Sequence, residues 1–295
     1  MTRERPVSGP PAALTLRAPA KVNLFLEATA RRPDGYHELR TLLVAVSLFD
    51  ALTFAPARGT IRLSCTDPTL GTGPENLIVR AAEALRRHTG TTAGAAIGLT
   101  KRIPAAAGLG GGSSDAATAL VGLNRLWKLG LGRDELIGLA AELGSDVAFF
   151  LGPPAAWCTG RGEEVMPWPL GRRLHLVLAC PPFGLSTADV YRRVAVPSRP
   201  ASGTAMKKAV RAGDVEAIGR RLHNRLQQPA LALRPELNDW LGRFAAQQPL
   251  GHLVSGSGST VFALVRDAAD ARRIAAAVRP AMTAAGGRVM VARTL

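Results

Sequence analysis

Apolar and polar positions alternate along residues 14–30, where apolar and β-branched side chains dominate, and that period of two predicts a strand interrupted at Pro19. Similar patterning predicts strands over 38–48, 51–55 and 60–64. The period then changes. Leu77, Ala81, Ala84 and Leu85 recur at helical spacing within 76–88, so this segment reads as a helix. A strand over 95–101, a glycine-rich loop and helices over 116–126 and 133–143 follow. Short apolar runs at 147–151 and 157–159 read as strands. Composition turns loop-like around Pro153 and Pro154 and again around Pro167 and Pro169, which places a domain boundary near residue 165. Beyond it the pattern predicts a strand over 174–179, a mainly helical stretch from 187 to 244, and strand, helix and strand over 251–265, 268–278 and 288–292. The expected organisation is a disordered tail over 1–13, one domain over 14–165 and a second over 166–295.

Size and composition narrow the possibilities. With 295 residues, 47% of them hydrophobic, the chain can bury a sizeable core. Its most apolar stretch, 42–54, is broken by Ser47, Asp50 and Thr53, so no membrane span and no membrane partner are expected. Arg3 and Arg5 precede no apolar signal core. Cys65, Cys158 and Cys180 are odd in number, widely spaced and without a CxxC, which indicates neither a disulfide framework nor a zinc site. A cytoplasmic protein fits these features. The net charge of +15 raises the possibility of an RNA-binding protein. The arginines, however, are spread in pairs such as Arg31–Arg32, Arg86–Arg87 and Arg172–Arg173, with no aromatic interleaving, and read as solvated faces. No nucleic-acid partner is expected. Only five of the 37 basic residues are lysine, and two of them, Lys21 and Lys101, lie beside motif segments.

The chemistry concentrates at residues 104–117, PAAAGLGGGSSDAA. Gly108, Gly110, Gly111 and Gly112 let the backbone turn and approach a ligand closely. Ser113, Ser114 and Asp115 occupy the positions where the N-cap of the next helix belongs. That helix would aim free N–H groups and the positive end of its dipole at whatever the loop encloses, which favours an anion such as a polyphosphate. A Walker loop is excluded because Gly112 is followed by Ser113 and not by lysine. A dinucleotide fingerprint lacks its third glycine, since Ser113 stands there.

Three more segments carry candidate chemistry. In residues 18–24, APAKVNL, Lys21 and Asn23 sit two apart on one face of an apolar strand, and a lysine there is costly to bury without a partner. In residues 144–150, GSDVAFF, a carboxylate, Asp146, precedes an apolar run; spacing alone leaves it open whether this is a turn residue. Residues 255–260, SGSGST, form a second small-residue loop. His88, His175, His223 and His252 stand alone, without metal-ligand spacing.

Together, APAKVNLFL at 18–26, GYHEL at 35–39, NLIVRAA at 76–82, the glycine loop, GSDVAFFL at 144–151 and SGSGSTVFA at 255–263 resemble the GHMP small-molecule kinases, the superfamily of galactokinase, homoserine kinase and mevalonate kinase. Within it they are similar to the branch acting on a cytidine diphosphate methylerythritol in the non-mevalonate isoprenoid pathway. The resemblance implies an α+β fold of two domains, with the active site in the cleft between them. It implies ATP as cosubstrate and transfer to the substrate's 2-hydroxyl. Asp146 would be the general base, with Lys21 holding that carboxylate and the developing charge. Asn76 and the loop residues Pro104, Ala105, Ala106, Ala107, Gly108, Leu109, Gly110, Gly111, Gly112, Ser113 and Ser114 would bind the nucleotide. Asn23, Tyr36, His37, Thr187 and Tyr191 would join Asp146 on the substrate, with the cytosine between aromatic rings and read by His37. Phe183 is an alternative to Tyr191 as the second ring. Mg²⁺ would arrive with ATP, on ligands the sequence does not name. Against homoserine or mevalonate as acceptor stand GYHEL and the two tyrosines.

Overall fold

The computed structural model describes residues 14–295; the tail expected over 1–13 lies outside the described residues. Strands β1 (Leu14–Arg31) and β2 (His37–Ala57) pair antiparallel along nearly their whole length. β1 is not interrupted at Pro19. The ladder shifts register between Pro19 and Ala20, an irregularity at which a residue without an N–H is tolerated. The strands expected over 38–48 and 51–55 are likewise one strand. Asp50, which looked like a break, is fully buried in β2, and the backbone N–H groups of Arg102 and Ile103 donate to its carboxylate.

The chain continues through β3 (Ile61–Cys65), α1 (Leu77–Thr89), β4 (Gly94–Thr100), α2 (Gly111–Leu126), α3 (Arg133–Leu143), β5 (Ala155–Thr159) and β6 (Glu164–Pro167). The sheet order is β3–β4–β2–β1, with β5 on the first half of β2 and β6 outside it. Helices α1, α2 and α3 cover one face, burying Leu85, Leu120, Leu123 and Leu139 against Leu52, Phe54, Ile97 and Leu99. Each such side chain contributes about 1.5–3 kcal/mol. The run at 147–151 is not a strand but a 3₁₀ turn over Ala148–Leu151. Five apolar residues are too few for periodicity to separate the two, and the edge of β2 is already taken by β5. Val147 and Ala148 bury among the helices instead, and Phe149 packs on Leu43 and Ala45.

The second half holds β7 (His175–Cys180), α4 (Thr187–Arg192), α5 (Thr204–Ala212), α6 (Val215–Arg220), β8 (His223–Asn224), α7 (Gln227–Leu233), α8 (Leu237–Ala245), β9 (Gly251–Val254), β10 (Val261–Val265), α9 (Ala268–Ala284) and β11 (Arg288–Arg293). Its antiparallel sheet runs β11–β7–β10–β9, so residues 251–265 form a hairpin around a turn and not one strand. The halves are interleaved. Residue 165 falls inside β6, and β8 returns to pair parallel with β1 at Phe25 and Leu26. One core cluster combines Leu42, Val44 and Phe25 with Met206, Leu176, Leu178 and Phe262.

Glu27 secures that return. Its carboxylate is fully buried, and it accepts from Arg225 Nε at 2.6 Å, Arg225 Nη2 at 2.9 Å and Ala201 N at 3.1 Å, with His223 Nε2 3.0 Å away. Burial alone pushes the Glu27 carboxyl up; the hydrogen bonds from Arg225 and Ala201 and the charges of His223 and Arg225 outweigh it and hold it below the usual range. A depressed carboxyl stabilises the fold above its unfolded value and loses that contribution as pH falls through the folded one. Arg225→Met is expected to cost about 2–3 kcal/mol in urea unfolding at neutral pH, at or below the low end for a broken buried pair because Arg225 is 31% exposed. The cost should shrink in acid, where Glu27 takes a proton. A neutral-pH loss below about 0.5 kcal/mol would show that the pair does not hold the halves together.

Candidate active site

Helix α2 begins at Gly111, five residues before the expected start at 116. Ser113 and Ser114 therefore lie inside its first turn, with Asp115 just past it, and none of the three caps it. The cap position belongs to Gly110, whose φ of 70° is a left-handed conformation that a side chain disfavours. Ser114 N is the first to reach back, donating to Gly110 O at 2.9 Å. The N–H groups of Gly111, Gly112 and Ser113 thus have no intrahelical acceptor, and the helix dipole points at the same place. The loop's carbonyls are turned elsewhere and satisfied. Ala106 O accepts from Leu185 N at 3.0 Å, Ala107 O from Thr260 N at 3.1 Å, Gly108 O from Ser255 Oγ at 3.0 Å and Leu109 O from Lys21 N at 2.9 Å. Gly108 permits this docking: at φ 74°, a Cβ there would stand 2.0 Å from Ser255 O.

Lys21 lies beneath the loop with only 4% of its surface exposed. Its Nζ donates to Asn23 Oδ1 at 2.8 Å and sits 3.5 Å from Asp146 Oδ2. Asn23 Nδ2 donates to Thr41 Oγ1 at 2.8 Å, which donates to Phe25 O at 2.7 Å. The ammonium is therefore fixed by a chain of buried hydrogen bonds anchored in the β1–β2 backbone. Asp146 is carried on the turn after α3. Nearby Cys158 is no competing nucleophile, since burial and then Asp146 push its thiol up to about 12.

Loop residues 104–113, Lys21, Asn23 and Asp146 line one cavity of about 800 Å³, in the size range of small-molecule sites. Its other end is formed by Tyr36, His37, Thr187 and Tyr191. The His37 and Tyr191 rings are 5.5 Å apart, and Tyr36, 52% exposed, stands at the mouth beneath the Arg161 guanidinium at 5.1 Å. Burial, with Arg31 adding to it, holds the His37 imidazole below its ordinary range, so the ring is neutral at pH 7 and offers one donor and one acceptor. Burial and then Asp146 push the Tyr191 phenol up, so it stays protonated.

Two expected residues are not brought to this cavity. Asn76 caps α1, its Oδ1 accepting from Ile78 N and its Nδ2 donating to Gly71 O. Ser114 turns inward and is fully buried, its Oγ without a partner. Phe183, the alternative second ring, packs in the core beside the second sheet, under the Arg234 guanidinium. Sequence reasoning missed Arg161, Arg31 and Arg192, all of which line the cavity. Arg31 had been read as part of a solvated pair; Arg161, between two glycines in a hairpin turn, was the available signal. Among the described residues no three His, Cys, Asp or Glu side chains gather as a metal site.

The models of the GHMP kinase N-terminal and C-terminal domains match residues 76–152 and 206–284. A 4-diphosphocytidyl-2-C-methyl-D-erythritol kinase of Pelotomaculum thermopropionicum is 44% identical over 272 residues, 90% of this chain and 94% of that one. The enzyme of that name from Streptomyces coelicolor is 40% identical over 95% of this chain and 96% of its own. The chain belongs to the 4-diphosphocytidyl-2-C-methyl-D-erythritol kinases, within the GHMP kinase family. A crystal structure of 4-(cytidine 5'-diphospho)-2C-methyl-D-erythritol kinase superposes with a TM-score of 0.80 at 38% identity, covering 95% of this chain and 99% of that one. A homoserine kinase from Cytophaga hutchinsonii shares the fold, with a TM-score of 0.77 at 20% identity over 99% of this chain and 97% of its own.

For such a kinase Gly110 is the glycine at which a side chain would press on Lys21 itself. In Gly110→Val the Cβ would stand 2.9 Å from Lys21 Cγ and 3.1 Å from Phe150 Cζ, with an unfavourable φ besides. Calorimetric titration should find ATP affinity reduced at least tenfold in a variant that still folds. Unchanged affinity would mean that the loop does not hold the nucleotide.

Proposed function

We propose that this chain phosphorylates the 2-hydroxyl of 4-diphosphocytidyl-2-C-methyl-D-erythritol with ATP, as a cytoplasmic enzyme of isoprenoid precursor synthesis. The observation that carries the reading is the single cavity that has the Lys21–Asp146 pair and the glycine loop at one end and Tyr36, His37 and Tyr191 at the other. Phosphoryl transfer asks chiefly for alignment and for stabilisation of charge on the transferred group. The N–H groups of residues 111–113 and the α2 dipole hold the triphosphate, and Lys21 faces the charge that develops as the γ-phosphoryl group moves. The substrate hydroxyl oxygen forms a bond to the γ-phosphorus, the bond to the β–γ bridging oxygen breaks, and ADP carries that electron pair away. Asp146 accepts the hydroxyl proton. Mg²⁺ would arrive with ATP, neutralise part of the phosphate charge and be held mainly by phosphate oxygens and water.

At the other end the cytosine stacks between Tyr36 and Tyr191 in this reading, and neutral His37 has the donor and acceptor to read its edge. Thr187, tied to Ser257 Oγ at 3.0 Å, and Asn23 complete the substrate side.

A coupled ADP-release assay offered the cytidine substrate, homoserine and mevalonate tests the reading; turnover should be confined to the first. Asp146→Asn should lower kcat about a hundredfold or more with ATP affinity little changed, and a variant turning over at a near-normal rate contradicts the assignment. Tyr36→Ala should cost about 1–3 kcal/mol in kcat/KM for the cytidine substrate and Tyr36→Phe far less. Equal losses in the two variants would argue against stacking.

A further inference from the structure

Behind the glycine loop, on the side away from the cavity, lie two carboxylates and one ammonium. Lys101 Nζ is 2.5 Å from Asp50 Oδ2 and 2.9 Å from Asp115 Oδ2, and none of the three side chains is more than 6% exposed. With all three ionised the cluster holds a net negative charge out of water, which is costly. The two acids are not equivalent. Both oxygens of Asp50 are satisfied, one by Lys101 and the other by two backbone N–H groups. Asp115 Oδ1 is buried and receives no hydrogen bond among the described residues. That orphaned oxygen is where a proton removes the excess charge. Burial, opposed by Lys101 and reinforced by Asp50, pushes the Asp115 carboxyl up to about 7. Lys101, despite burial, is held charged by the two acids.

Asp115 is the fifth residue of α2, just past the first turn at the helix end where the proposed site receives a polyphosphate. A negative charge there and a negative charge on the ligand oppose each other through a dry interior, where screening is weak. The charged groups facing Asp115 are Asp50 from β2 and Lys101 from the segment after β4. Lys21 of β1 lies on the cavity side of Gly110. The charges of α1 and α3, among them the Glu83–Arg86 and His88–Glu135 pairs, are partly or largely exposed. We propose that Asp115 is a positioning residue whose protonation is coupled to nucleotide binding, so that Mg·ATP enters the loop with net uptake of a fraction of a proton from solvent onto Asp115. The inference rests on the reading that the loop binds the ATP phosphates. Its sign follows directly. Neutral Asp115 favours the anion, so affinity rises as pH falls through neutrality, and bound anion makes the proton harder to remove.

Titration of Mg·ATP into the wild-type enzyme by calorimetry, in buffers of differing ionisation enthalpy from about pH 6 to pH 8, counts the protons taken up. Net uptake should appear near pH 7, with affinity falling by up to about tenfold across the range, the change that a one-unit shift in one group produces. Asp115→Asn, which keeps the shape and discards the titration, should lose the uptake. It should bind at pH 8 about as tightly as the wild type does at pH 6. Asp115→Ser serves where the amide does not fold, and thermal melts establish folding for either. Equal proton counts and equal pH dependence in the wild type and a folded variant overturn the inference while leaving the nucleotide site intact. No binding of Mg·ATP to the folded wild type overturns the underlying reading and this inference with it.

Discussion

The arrangement depends on one docking: the turn between β9 and β10 against the glycine loop of the other half. Thr260 N and the Ser255 hydroxyl donate to successive carbonyls, those of Ala107 and Gly108, while Leu185 N takes that of Ala106. A peptide plane whose carbonyl is fixed on one side presents its N–H to the other. With these carbonyls held behind the site, the N–H groups of residues 107–109 face the other way, beside the free N–H groups of 111–113 at the start of α2. The docking thereby ties the conformation of residues 106–109, at the edge of the first half's site, to the second half. It also accounts for the hold that Glu27, Arg225 and His223 keep on β8, since this small ladder brings Asn224 to the same turn, where its Nδ2 donates to Val254 O and Gly256 O.

The reacting end inherits its rigidity from β1 and β2. A buried lysine is tolerated because its charge is answered locally by Asn23 and Asp146, and the relay through Thr41 to the backbone allows little movement. A preorganised cation of this kind costs no reorganisation at the moment of transfer. The opposite end is built differently. Tyr36 stands exposed at the mouth under an arginine, whereas His37 and Tyr191 are sheltered, so recognition of a base would proceed from an open rim to a fixed wall.

Much of the site was legible in the sequence because its residues lie in contiguous motifs. Lys21 and Asn23 share a face by the period of two alone, and the glycine loop declares itself by composition. What could not be read depends on contacts distant in sequence. The start of α2 at Gly111 is set by Gly110 and by docking with residues 255–260, while local rules favour a cap at Ser113 to Asp115. Asn76, placed on the nucleotide by the family resemblance, caps α1 here, a role equally consistent with an asparagine before an apolar helical run. The apolar run 147–151 carried no periodicity, and only the occupied edge of β2 decides against a strand. Arg31 reads as part of a solvated pair and Arg161 lies in no motif, since their meeting at one rim depends on a hairpin tip and a strand end brought together by the fold.

A crystal structure of the enzyme with a non-hydrolysable ATP analogue and 4-diphosphocytidyl-2-C-methyl-D-erythritol tests the central claim most directly. The account predicts phosphate oxygens on the N–H groups of residues 111–113, the cytosine against Tyr36 and Tyr191, and the substrate 2-hydroxyl within hydrogen-bond reach of Asp146. Triphosphate bound away from the glycine loop, or a 2-hydroxyl remote from both Asp146 and Lys21, would contradict it.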